Sequence, residues 1–170
     1  MLRMCLAVGV LIAAVSMAAA GTFAPREGWE VIDTSYPFSV LAERLEMAIK
    51  AEKMIAVTSA SASEGAKLAG ISIPGNRVVG VFRNDFARRM LAASIAAGIE
   101  APIRFYVTEN ADGTATLSYK RPSVVFAPYA AEGKDALKSL AGELDTVFAR
   151  TSTRCHSCPR PDLAGARCHA

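Results

Sequence analysis

The sequence predicts an α+β domain, a mixed or antiparallel sheet of about five strands covered by three main helices. Three observations predict it. Short apolar runs of strand length alternate with longer segments whose apolar residues recur at helical spacing. A hairpin pattern with an acidic glycine turn occupies the second half of the chain. The 170 residues show no internal repeat, which suits one domain.

The first element is not part of that domain. In MLRMCLAVGVLIAAVSMAAAG, Arg3 gives a short positive start and Cys5 to Met17 is apolar but short for a membrane span. Ala18 and Ala20 supply the small side chains of a cleavage site. The expectation is a cleavable Sec-type signal over residues 1–20, cut after Ala20. The mature protein is then periplasmic or secreted, with no membrane attachment. No small residue precedes Cys5 and there is no twin arginine, so neither a lipoprotein signal nor a twin-arginine signal is expected.

The domain follows over residues 21–150. WEVIDTSY (Trp29–Tyr36) reads as a first strand, and PFSVLAERLEMAIKAEK as a helix. Ser39 is its expected N-cap, and Leu41, Leu45, Ala48 and Ile49 form its apolar stripe. MIAVTS (Met54–Ser59) reads as a short buried strand. A brief helix over Glu64–Leu68 ends at Gly70, and RVVGVF (Arg77–Phe82) is another buried strand. NDFARRMLAASIAAG reads as a helix capped by Asn84 and ended by Gly98, with Ala87, Met90, Leu91 and Ile95 facing inward. In the hairpin, Ile103, Phe105 and Val107 alternate with Arg104, Tyr106 and Thr108, NADG turns, and TATLSY returns. A last helix is expected over Lys134–Arg150, with Leu137, Leu140, Leu144, Val147 and Phe148 on one face. Residues 151–170, TSTRCHSCPRPDLAGARCHA, lack an apolar period and read as a flexible tail.

Charge excludes one class. Removing residues 1–20 takes only Arg3 from the 19 basic residues, against 16 acids, so no strong basic balance points to nucleic acid. The domain holds no histidine, which removes Ser–His and Cys–His nucleophiles from it.

The chemistry-bearing residues crowd the carboxyl end. Cys155, Cys158 and Cys168, with His169 or His156, offer thiolate and imidazole ligands that suit zinc or copper. The same cysteines suit a disulfide, which an exported protein favours, with one thiol left over. A tail with no site is the third reading. Haem attachment is not expected, because Pro159 stands where C-x-x-C-H needs histidine. A thioredoxin-like role is weakened by the placing of Cys155 and Cys158 after a helix rather than at its start. Within the domain, Asn84 at a strand-to-helix corner and Arg104 and Tyr106 on one strand face are the candidate ligand groove. Capping explains Asn84 equally well, and a solvated sheet face or dimer contact explains the other two.

The stretches YPFSVLAERLEMAIKAEKMIAV and GVFRNDFARRMLAASIAAGIEAPIRFYVTENADGTATLSYKRP resemble the family called domain of unknown function 302, the TT1751-like fold. The shared features are Phe38–Ser39 at a strand-to-helix passage, Asn84 at the start of a helix, a strand led by Pro102, the turn at Asp112–Gly113, and a strand ending in Tyr119 before Pro122. The family often has proline where this chain has Asp85. The resemblance covers Glu30–Arg150 and implies a compact fold of the TATA-binding-protein-like class, with no activity, cofactor or catalytic residue attached. The expected function is binding or interaction in the periplasm, with a homodimer, a small ligand or a metal as partner. The alternative is a thiol–disulfide or metal-dependent redox enzyme working through Cys155 and Cys158.

Overall fold

The computed structural model describes residues 24–157. The expected signal segment, Cys158, Cys168 and His169 lie outside the described residues. Five strands form one sheet: β1 (Trp29–Pro37), β2 (Ile55–Ala60), β3 (Asn76–Phe82), β4 (Ile103–Glu109) and β5 (Thr114–Lys120). Their order is β1-β5-β4-β3-β2, and every neighbouring pair is antiparallel. The sheet is therefore purely antiparallel, the second of the two expected forms. The helices are α1 (Phe38–Ala51), α2 (Ala62–Leu68), α3 (Asn84–Ala93), α4 (Pro122–Phe126) and α5 (Ala130–Ser157).

Chain connectivity places β1 and β2 on opposite edges, so α1 must cross the sheet between them. It touches all five strands on the way. Its stripe of Leu41, Leu45, Ala48 and Ile49 is buried, as the spacing requires. On the sheet, Phe105 stacks on Phe148 of α5 with ring centroids 4.4 Å apart, and Tyr119 meets Phe105 edge-on at 5.2 Å. These rings and the aliphatic side chains of α1, α3 and α5 form the core on one face of the sheet.

The hairpin matches its turn chemistry. Gly113 has φ +81°, and the Asp112 carboxylate accepts from the Thr114 amide at 3.0 Å. Gly80 serves a different need. A Cβ there would lie 2.2 Å from Thr58 Oγ1 and 2.7 Å from Pro102, so only glycine lets these strands and Pro102 close together.

Several expectations fail at element ends. β2 is an edge strand with all six residues exposed, not a buried strand. Pro37 stands at the N-cap of α1, and Arg83 at that of α3; neither helix has a side-chain cap, so Ser39 and Asn84 do not cap them. The third helix ends at Ala93, before a 3₁₀ turn over Ala96–Glu100, rather than at Gly98. Met90 is buried, but Leu91 is 47% and Ile95 84% exposed. The largest departure is at the carboxyl end. α5 is interrupted at Lys134 (φ 45°), where the last helix was expected to begin, and then runs on through Ser157. Thr151, Ser152 and Cys155 are buried, so residues 151–157 belong to the fold and not to a tail. Small polar residues gave no apolar period here, yet their faces pack.

Candidate functional site

Strand register assigns one row of side chains to the sheet face away from α1, α3 and α5. Lys120 pairs with Trp29, Thr116 with Asp33, Tyr106 with Ser118, and Gly80 with Arg104. Small residues of β5 thus lie between larger ones of β1 and β4. Thr116 and Ser118 are fully buried in that trough. The Thr116 hydroxyl donates to Asp33 Oδ1 at 2.7 Å, whereas Ser118 Oγ has no hydrogen-bond partner among the described residues.

One end of this face opens into a groove of about 290 Å³, lined by Trp29, Val78, Glu100, Arg104, Tyr106 and Lys120 among others. The Lys120 ammonium lies 5.4 Å from the centre of the Trp29 ring. Glu100 closes the opposite wall, where it accepts the Tyr129 hydroxyl at 2.8 Å. That bond and burial raise the Tyr129 pKa, so this phenol stays protonated and donating. The groove combines two cations, the Glu100 carboxylate, the rings of Trp29, Tyr106 and Tyr119 and an aliphatic wall, the composition of a small-ligand cleft.

The structure brings Arg104 and Tyr106 together and leaves Asn84 apart. Asn84 is exposed on the first turn of α3 and does not line the groove. Its neighbours are occupied. Arg83 holds Asp85 with two bonds of 2.8 and 3.0 Å, reaches the Glu52 carbonyl, and lies over the Phe86 ring at 4.1 Å. Arg83 keeps the Asp85 carboxyl below the usual carboxylate range.

At the carboxyl end, Cys155 is in the core. Its thiol faces the Leu41 carbonyl at 3.8 Å, and its own carbonyl accepts Arg44 Nε at 2.6 Å. Burial pushes the thiol up to about 12, a rise that Arg44 only partly offsets. A thiol so protonated is a poor nucleophile and a poor ligand. His156 is half-buried, and its Nδ1 has no hydrogen-bond partner among the described residues. The other proposed ligands, Cys158, Cys168 and His169, lie outside those residues. Among the described residues no three His, Cys, Asp or Glu side chains gather into a metal site.

Two residues of this region receive no site role from the sequence. Arg44 sits inside the apolar stripe, between Leu41 and Leu45, and that misplaced charge was its signal. It is buried, with its guanidinium 4.4 Å from the Tyr36 ring centre. Glu52 just past α1 is also buried and accepts from Arg150 Nε at 3.0 Å and Arg154 Nε at 2.8 Å. Nothing in its local sequence marks it, because both partners lie about a hundred residues away.

Comparisons with known proteins agree with this architecture. The profile of the family described as Domain of unknown function DUF302 matches residues 30–151. The crystal structure of an uncharacterized conserved DUF302 protein from Bacillus stearothermophilus superposes with a TM-score of 0.67, at 21% identity, covering 77% of this chain and 100% of that one. No curated protein matches the chain. With the family profile spanning most of its length, the chain belongs to the DUF302 family.

Proposed function

We propose that this is an exported binding domain rather than an enzyme, and that it holds a small planar anion in the open-face groove. The observation that carries the reading is the groove itself, where Arg104 and Lys120 stand beside the rings of Trp29 and Tyr106. A flat apolar body would lie against the rings, and a carboxylate would meet the cations. Beneath that face Ser118 is fully buried, and its hydroxyl has no hydrogen-bond partner among the described residues. The redox reading through Cys155 and Cys158 is disfavoured, because it requires the Cys155 sulfur to leave the core and lose a proton held to about 12. Export rests on the sequence pattern of residues 1–20 alone. Metal binding or a disulfide at Cys158, Cys168 and His169 is an accessory reading that needs no contribution from Cys155.

The test is a titration of residues 21–170 with 2-naphthoate, followed by calorimetry and by NMR shifts of the Trp29 indole. Saturable binding that weakens about tenfold in Arg104→Ala is expected, the size of one lost charge-assisted bond. Absence of binding, or binding indifferent to Arg104→Ala and Lys120→Ala alike, removes this reading.

A further inference from the structure

The groove on the open face carries charge of both signs, and the fold holds the two signs apart. Arg104, near the start of β4, and Lys120, at the end of β5, come to it from the sheet. Glu100 comes from the 3₁₀ turn over Ala96–Glu100, off the end of β4. Arg104 and Lys120 are exposed, whereas Glu100 is half-buried. No ion pair among the described residues includes any of the three. Lys120 and Glu100 meet neutral groups instead. Lys120 lies over the Trp29 ring, and Glu100 Oε1 accepts the Tyr129 hydroxyl at 2.8 Å. That bond fixes the carboxylate without cancelling its charge. Glu52 shows the ordinary arrangement, a buried carboxylate between two arginines.

We propose that the ligand of this groove is a zwitterion: a flat apolar body with a carboxylate at one end, for Arg104 and Lys120, and an ammonium at the other, for Glu100. The inference rests on the groove reading above and narrows its ligand from an anion to a molecule of no net charge. A simple anion would be drawn by the two cations but would share the cavity with the Glu100 carboxylate, and a simple cation would meet the reverse. Only a ligand with both charges satisfies both walls. The residues that attract it therefore discriminate against a ligand carrying either charge alone. Tyr129 binds Oε1 of Glu100, which leaves Oε2 to accept from an ammonium. The rings of Trp29 and Tyr106 line the same cavity and offer faces for the apolar body. At about 290 Å³ the groove is at the small end of ligand pockets, which suits a molecule of amino-acid size.

The experiment is calorimetry on residues 21–170 with two acids of one shape. One is 6-(aminomethyl)-2-naphthoate, which carries the ammonium, and the other is 6-ethyl-2-naphthoate, which does not. A shorter pair, 4-(aminomethyl)benzoate and 4-ethylbenzoate, repeats the comparison at a smaller charge separation. In at least one pair the wild type is expected to bind the ammonium acid about tenfold more tightly, the size of one charge-assisted bond. Glu100→Gln keeps an oxygen for the Tyr129 hydroxyl and removes the charge. It is expected to abolish that preference while binding the ethyl acid at least as tightly as the wild type does. No preference in either pair overturns the proposal, as does a preference that survives Glu100→Gln. Loss of both acids of a pair in that variant also overturns it, because Glu100 would then be a structural wall. If 2-naphthoate still binds through Arg104 in any of these cases, only the zwitterion is lost and the groove reading stands. If neither 2-naphthoate nor any of the four acids binds, both fall.

Discussion

The last turn of α5 and the open face of the sheet spend their polar groups in opposite ways. At the last turn most of them consume one another, although His156 Nδ1 has no hydrogen-bond partner among the described residues. Arg44 binds the Cys155 carbonyl, Glu52 is held by Arg150 and Arg154, and Cys155 is pressed against α1. On the open face, Arg104 is exposed, Lys120 stands over a ring and the buried Ser118 hydroxyl has no partner among the described residues. The buried Cys155 thiol is thus the inert group, and the region of ordinary residues is the one with a cavity. Reactivity belongs to environment before it belongs to residue type.

The strongest way to break this comparison is to remove the last turn. A chain ending after Arg150 loses Cys155 from the core and Arg154 from Glu52, and leaves Arg44 buried without that carbonyl. Breaking a buried charged contact costs about 3–5 kcal/mol. The truncated protein is expected to melt far lower, by roughly 2–4 °C for each kcal/mol lost. A chain ending after Ser157 loses none of these contacts and is expected to melt like the full mature protein. Equal melting temperatures for both truncations would mean that residues 151–157 are an appendage after all.

That expectation inverts the sequence reading, and the reason is physical. Apolar periodicity made α1, the hairpin and most of α5 legible, because burial there falls on Leu, Ile, Val and Phe. It cannot see Thr151, Ser152 or Cys155, which are buried as small polar or sulfur-bearing side chains. Likewise β2 reads as a buried strand because Ile55 and Val57 are apolar, but strand order leaves it on an edge. The groove was half legible. Alternation put Arg104 and Tyr106 on one face, whereas Trp29 and Lys120 join them only through the pairing of the first strand with the last. Asn84 was grouped with them by a general rule about strand-to-helix corners, and the fold separates them.

Cys155 gives the second test. In the native mature protein, kept in reductant, its thiol is expected to resist iodoacetamide and to react only on unfolding. Peptide mass mapping reads the three sites separately. Cys155→Ser should cost about 1–3 kcal/mol, because it buries a hydroxyl where sulfur packed. Fast native alkylation of Cys155 would return it to the list of reactive thiols and revive the redox reading.

The smallest effect expected is on acid stability, and it isolates Glu52. Burial alone would raise this carboxyl, but the bonds from Arg154 and Arg150 outweigh it and hold the group below its ordinary value. A carboxyl lowered on folding stabilises the protein fully above its unfolded pKa, and that contribution is lost as pH falls toward the folded value. Asp85 and Glu143 are also held low, by Arg83 and Arg89, and Asp112 by Thr114, so an acid limb alone identifies no single group. The comparison is therefore wild type against Glu52→Gln across the limb. The variant is expected to be less stable at neutral pH by about 1–3 kcal/mol, the range for hydrogen bonds to a charged group. Since the other carboxyls titrate in both proteins, the gap should narrow steadily as Glu52 protonates in the wild type. A gap that stays constant into acid would mean that the two arginines hold Glu52 by shape rather than by charge, and that the last turn is fastened by packing around Cys155 alone.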